Sequence, residues 1–192
     1  IEAGISLIRL YQFSLLPGTE GASSKSVQEF DMETRFRVRT TDMGYYQVYA
    51  DGFFSAEIEA ICVANNTMPY SDYRECRALD LTVEIFHNNG TFQEITKFLS
   101  HRGIKGSEFI QKIHSMVYKG NTSISHFYDD YAKEEEKNSW KSSKELRAFI
   151  EKPGVAEKYF SGEYGMNEIY KYRALAFFDN LDVLHEIACN AA

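Results

Sequence analysis

Cysteine, proline and tryptophan are scarce in this chain, and long apolar runs are missing. Of 192 residues, three are Cys, three are Pro and one is Trp. Cys62, Cys76 and Cys189 are an odd set with no C-x-x-C pair, which excludes a disulfide framework and the common zinc motifs. Read on apolar helical faces, Cys62 and Cys76 suit buried structural thiols. No apolar stretch approaches the roughly 18 residues that a membrane-spanning helix needs. The chain is therefore expected to be cytoplasmic, with no membrane partner. Positive charge is in deficit: 21 Lys and Arg stand against 28 Asp and Glu, a net charge of −7. Broad phosphate-backbone binding needs a basic footprint, so nucleic acid is not expected as a partner. G-x-S-x-G, a phosphate-binding Gly-Lys-Ser/Thr loop and H-E-x-x-H are all missing, and no internal repeat is visible. Asn65-Asn66-Thr67, Asn89-Gly90-Thr91 and Asn121-Thr122-Ser123 match the glycosylation acceptor pattern. With no secretory segment visible, they read as ordinary helix-end residues.

What is present suits a soluble domain with a sizeable core: 44% hydrophobic and 26% charged residues. Aromatics reach 15%, with 13 Tyr and 14 Phe, enough to build a core or line a groove. The first 50 residues differ from the rest. Ile5, Leu7, Ile8, Leu10, Tyr11 and Phe13 form a nearly continuous apolar run. That pattern predicts a strand over residues 5–13, buried on both faces as in a parallel sheet, and ended by Pro17-Gly18. A lone strand cannot satisfy its backbone, so its neighbours are expected outside this chain. The absence of an initiator Met before Ile1 agrees with a fragment. Residues 21–26 read as a flexible loop. Thr34, Phe36 and Val38 alternate with Arg35, Arg37 and Arg39, a period of two that predicts an extended segment with a basic edge. Residues 44–49 suit a further short strand or an extended loop.

From Ser55 onward the period reads as helical. Ser55 suits the N-cap of a helix through Ala64, with Ile58, Ile61 and Cys62 on one face. Pro69 opens a helix that stops at Asn88-Asn89-Gly90. Thr91 with Glu94, and Ser142 with Glu145, have capping-box spacing. Ser107 opens a helix to Tyr118. Residues 124–137 read as a solvated, acidic helical face. Pro153-Gly154 breaks the chain, and Asn167 caps one long final helix to about Cys189. The predicted architecture is mainly α, with six to eight helices behind a short strand-containing N-terminal arm. The expected division is an arm over residues 1–50 and a helical domain over residues 51–192.

An apolar strand leading into Leu15-Leu16-Pro17-Gly18-Thr19-Glu20 resembles the end of the barrel in radical S-adenosylmethionine (SAM) enzymes that also carry a cobalamin-binding domain. Met32-Glu33-Thr34-Arg35-Phe36-Arg37-Val38, Ala56-Glu57-Ile58-Glu59, Tyr73-Arg74-Glu75-Cys76-Arg77 and Leu81-Thr82-Val83-Glu84-Ile85-Phe86 extend the likeness over about residues 4–115. The C-x-x-x-C-x-x-C motif that holds the four-iron, four-sulfur cluster is missing here, as is the Gly-Gly-Glu segment for the SAM amino group. The resemblance therefore implies the C-terminal part of such an enzyme, inactive alone, closing the barrel and shaping the substrate entrance. Its partners would be the N-terminal barrel and cobalamin-type domain of the same protein, with a small-molecule substrate of unstated identity. SAM, the 4Fe-4S cluster and cobalamin would be cofactors of the intact protein, not bound by this part. In such barrels the last strand lies beside the SAM adenine, which makes Tyr11 and Gln12 the candidate cofactor contacts. Arg35 and Arg37 are candidate contacts for an anionic substrate or the cofactor carboxylate. Charge protection of a strand edge, or pairing with Asp31, Glu33 and Asp42, is the competing account.

Two other readings differ in class. One is a helical interaction module without chemistry, presenting apolar surface to a partner. The other is a di-iron carboxylate bundle. Glu84 with His87, and Asp182 with His185, have i, i+3 spacing, and Glu57 or Glu59 with Glu94 or Glu168 would complete the ligand set.

Overall fold

The computed structural model describes residues 1, 4–49, 51–88, 90–118, 120 and 124–192. The glycosylation patterns at Asn89 and Asn121 begin outside the described residues. In order, the elements are β1 (Phe13–Ser14), α1 (Ser24–Glu29), β2 (Glu33–Val48), β3 (Asp51–Ala64) and α2 (Tyr70–Phe86). They continue with α3 (Gln93–His101), α4 (Gly106–Tyr118), α5 (Ser125–Lys137), α6 (Ser143–Ile150), α7 (Val155–Phe160), α8 (Glu168–Asp179) and α9 (Leu181–Ala191). About 52% of the chain is helical, with nine helices among the described residues and one small three-stranded antiparallel sheet. The mainly α expectation therefore holds. The chain forms two compact units. One comprises residues 1–10, 74–133 and 168–192, and the other residues 11–73 and 134–167.

The sheet lies in the second unit, in the order β1-β3-β2. β2 and β3 are a long hairpin, paired from Glu33↔Ala64 to Val48↔Asp51. The expected boundary at residue 50 thus falls between two strands that pair along their length. Tyr49 stands at the turn with φ 57°, the left-handed conformation that tight hairpin turns require. Gly52 lies under the Tyr45 ring, where an added Cβ would meet the phenol oxygen at 2.1 Å. A break in register between Arg39 and Met43 is the bulge that carries the Arg39–Asp42 ion pair, 2.8 Å.

β3 corrects the helix expected from Ser55 to Ala64. The i, i+3, i+4 set Ile58, Ile61 and Cys62 coincides with a period of two, in which Glu57 and Glu59 alternate with Ala56, Ile58 and Ala60. Pairing with a complete partner strand decides in favour of the second period. Paired residues of an antiparallel ladder share a face. One face carries Phe36, Val38, Met43, Phe54 and Ile58, packed against Leu146, Ile150, Val155 and Tyr159 of α6 and α7. The opposite face carries Arg35, Arg37, Arg39, Glu57 and Glu59.

The strand expected over residues 5–13 is corrected to β1, whose pairs are Phe13↔Cys62 and Ser14↔Ile61. Residues 4–12 lie outside helix and strand. The loop expected at residues 21–26 runs into α1, whose N-cap Ser23 accepts from Ser26 N–H at 3.1 Å. Ser142 caps α6 as expected, accepting from Glu145 N–H at 3.3 Å. Thr91 does not cap α3, whose N-cap is Phe92. The single final helix is two, because Asn180 leaves the helical region (φ −131°, ψ 16°).

The first unit is built on α2, α3, α4, α5, α8 and α9 around Leu81, Ile85, Phe86, Ile113, Val117, Tyr131 and Leu184. α2 turns from exposed to buried along its length, so that Leu81 through Phe86 are all buried. That run includes Thr82, whose hydroxyl oxygen lies 3.0 Å from both His114 Nδ1 and the Tyr128 hydroxyl. It also lies 3.1 Å from the Ala78 carbonyl. A polar atom this deep needs such partners to offset its lost hydration.

Burial raises the Tyr128 hydroxyl well above its ordinary pKa of 10.0, with Thr82 opposing in part. The sign follows from proton binding. Above about pH 10 the unfolded chain loses this proton while the folded chain keeps it, so stability falls as pH rises from there. Cys62, raised above 9.0 by burial, begins to contribute at a lower pH. The urea midpoint is expected to be insensitive to these groups below about pH 8 and to fall from there to about pH 11. Tyr128→Phe should make that fall shallower; an identical slope would remove Tyr128 as its source.

Candidate functional site

Three of the sequence candidates, Gln12, Arg35 and Arg37, collect on the charged face of the second unit. Gln12 Nε2 donates to the Tyr73 hydroxyl. Tyr73 stacks on Tyr70 with ring centroids 5.8 Å apart and planes 15° apart. The Arg35 guanidinium lies 5.2 Å from the Tyr70 ring centroid, within cation–π range. One chain of contacts thus joins Gln12 to Arg35 through two tyrosines on the first turn of α2. Tyr11, expected beside Gln12, is 83% exposed.

The strand period that aligned the arginines also gave them carboxylates. Arg35 is only 8% exposed and donates from Nε (3.0 Å) and Nη2 (2.8 Å) to one oxygen of Glu33. Arg37 Nε donates to Glu59 directly across the ladder. Ser14 of β1 donates to the other Glu59 oxygen at 3.2 Å. Of the three carboxylates weighed as partners, Glu33 pairs with Arg35 and Asp42 with Arg39, whereas Arg37 pairs with Glu59. An anion reaching Arg35 or Arg37 would have to compete with these carboxylates. What the face offers chemically is hydrogen bonding and stacking, with each of its three arginines paired to a carboxylate.

Local pattern does not mark Tyr70, Tyr73 or Ser14 as members of this face. Glu59, expected on a helix as a possible metal ligand, is on β3, and the alternation Glu57-Ile58-Glu59-Ala60 is the signal for that strand position. Tyr73 lies in the helix that Pro69 opens, whose period does not single it out. Its pairing with Gln12 joins residues 61 positions apart, which no local pattern encodes.

The cysteines do not make a cluster site. Cys62 is buried on β3, its Sγ donating to Ala64 O at 3.2 Å, and burial pushes the thiol up, which keeps it a poor thiolate. Cys76 is exposed, correcting its expected burial, and so is Cys189. Among the described residues no group of three or more His, Cys, Asp and Glu could hold a metal ion. Among the described residues no set of cysteines converges as an iron–sulfur cluster requires. Glu84 and His87, read as possible di-iron ligands, are engaged elsewhere. Glu84 bonds Arg173 Nη1 at 2.6 Å, and His87 Nε2 lies 2.9 Å from the Ile5 carbonyl. His185, the imidazole of the second motif, meets the Phe92 ring edge-on. Among the described residues no helix is long and apolar enough to cross a membrane.

No family model matches this chain, and no curated protein matches it.

Proposed function

We propose that this chain is the C-terminal part of a cobalamin-type radical SAM enzyme, in which it closes the barrel and shapes the substrate entrance. The carrying observation is the apolar run that ends in Leu-Leu-Pro-Gly-Thr-Glu. Ile5, Leu7, Leu10, Phe13 and Leu16 are each about half exposed, and of this run only Phe13 and Ser14 enter the sheet. A water-soluble protein seldom leaves such a contiguous apolar stretch uncovered. A neighbouring strand from the upstream barrel is the partner that would cover it. The intact protein would be cytoplasmic and would bind SAM, a 4Fe-4S cluster and cobalamin through its upstream domains. When bound, those cofactors supply reductive cleavage of SAM. This chain would contribute Gln12, held by Tyr73, and the paired face of Arg35 and Arg37.

The test is made on the longer polypeptide that contains this chain. Reconstituted anaerobically with iron and sulfide, and given SAM and a reductant, it should form 5′-deoxyadenosine, while residues 1–192 alone form none. An upstream sequence without C-x-x-x-C-x-x-C would overturn the reading. Partner capture by residues 1–192 alone, with no SAM cleavage by the longer protein, would favour the interaction module instead.

A further inference from the structure

Just beyond α2, in the first unit, one side chain grips a distant stretch of backbone. Asn88 Oδ1 accepts from Ile8 N–H at 2.9 Å, and Asn88 Nδ2 donates to Ile8 C=O at 2.7 Å. The amide thus takes both backbone groups of a single residue, as a neighbouring strand would. Its second N–H goes to Glu84 Oε2, one helical turn back. The opposite amide orientation would set Oδ1 against two acceptors, so the network selects this one. Glu84 is buried and is held from its other oxygen by Arg173 of α8. His87 meets the Ile5 carbonyl three residues before Ile8. Further back, Ile1 sits over Gly106, the first residue of α4; a Cβ there would lie 2.3 Å from Ile1 Cγ2.

We propose that residues 4–10 are a displaceable strap, closed over the end of α2 by Asn88, with Glu84 and Arg173 fixing the Asn88 amide. Three features point to a strap. Its described backbone lies outside helix and strand, and side chains hold it rather than a ladder. Ile1 and Ile8 pack against the core of the unit, whereas Ile5, Leu7 and Leu10 face outward. A segment held by side chains rather than by a hydrogen-bonded ladder opens independently of the helices beneath it. Asn88 is thus a positioning residue for the segment that leads into Tyr11 and Gln12. The inference does not depend on SAM chemistry: cleavage by the longer protein and opening of the strap are separate readouts, and either can fail while the other stands.

Hydrogen–deuterium exchange on the full 192-residue chain tests it. Asn88→Ala should speed exchange in peptides covering residues 5–10 by about tenfold, with α4 unchanged. Asn88→Asp keeps the acceptor for Ile8 N–H but loses the donor and sets a carboxylate against Glu84, so it should open the strap at least as far. Gly106→Ala supplies an independent route, since it displaces Ile1 and leaves Asn88 intact. It should raise exchange over the same residues. Unchanged protection of residues 5–10 in all three variants would overturn the strap. So would an equal rise across α2 and α4, which would make Asn88 merely structural.

Discussion

Phe86→Ala is expected to lower the unfolding free energy by about 3–5 kcal/mol, the range for deleting a buried aromatic ring. Phe86 closes α2 at 2% exposure, and its ring meets Phe92 at 5.1 Å. Phe92 in turn meets His185 of α9 edge-on at 5.4 Å. The ring therefore joins the end of α2, the start of α3 and α9 in one aromatic chain. Deleting it removes apolar burial and leaves a cavity that three helices would have to close together. Phe86→Leu keeps most of the volume and should cost roughly 1.5 kcal/mol or less. Urea unfolding followed by far-UV circular dichroism measures both. A Phe86→Ala loss below about 1 kcal/mol would mean that the site collapses freely, against the dense packing seen around it.

The second large effect is expected in the other unit, from Leu146→Ala. Leu146 is fully buried on α6, at the centre of a core with four buried members: Leu146, Ile150, Val155 and Tyr159. A core this small has few other contacts to absorb the loss. A destabilisation of about 2–5 kcal/mol is expected. The chain carries a single tryptophan, and Trp140 belongs to this unit, its ring 5.0 Å from Phe149. Trp140 also forms a backbone bridge with Phe36 of β2. Tryptophan fluorescence thus reports this core directly. The urea midpoint read by fluorescence should fall sharply in the variant. A fluorescence midpoint that stays at the wild-type value would show that Leu146 is not central to the unit.

The two cores differ in how openly the sequence announces them. α2 and α4 have long apolar stripes and clear limits, Pro69 before one and Ser107 near the start of the other, and both form close to where they are expected. The Arg35-Arg37-Arg39 alternation likewise yields a strand. β3 does not reveal itself in the same way. Its apolar residues fit two periods at once, and only the matching length of β2 selects between them. The acidic residues of that strand, Glu57 and Glu59, then become cross-strand neighbours of Arg39 and Arg37, and the basic edge turns into a row of ion pairs.

The candidate site divides along the same line. Gln12, Arg35 and Arg37 stand out as residue types on extended segments. The tyrosines that tie Gln12 to Arg35 belong to α2, a helix whose stripe carries no sign of what lies opposite. Asn88 reads locally as a helix stop, and it is one. Its grip on Ile8, 80 positions away, has no local signature, because side-chain amides bond whatever backbone the fold brings near them.

Composition, helix periodicity and turn residues were sufficient for a mainly α chain with an extended basic segment near its start, since those signals act over a few residues. The pairing of β3, the late start of the apolar run's strand and the partners of Arg37, Gln12 and Asn88 required contacts between distant residues. Burial and pairing energies accrue only when both sides are present, so they outweigh the weak local preferences that a linear reading detects.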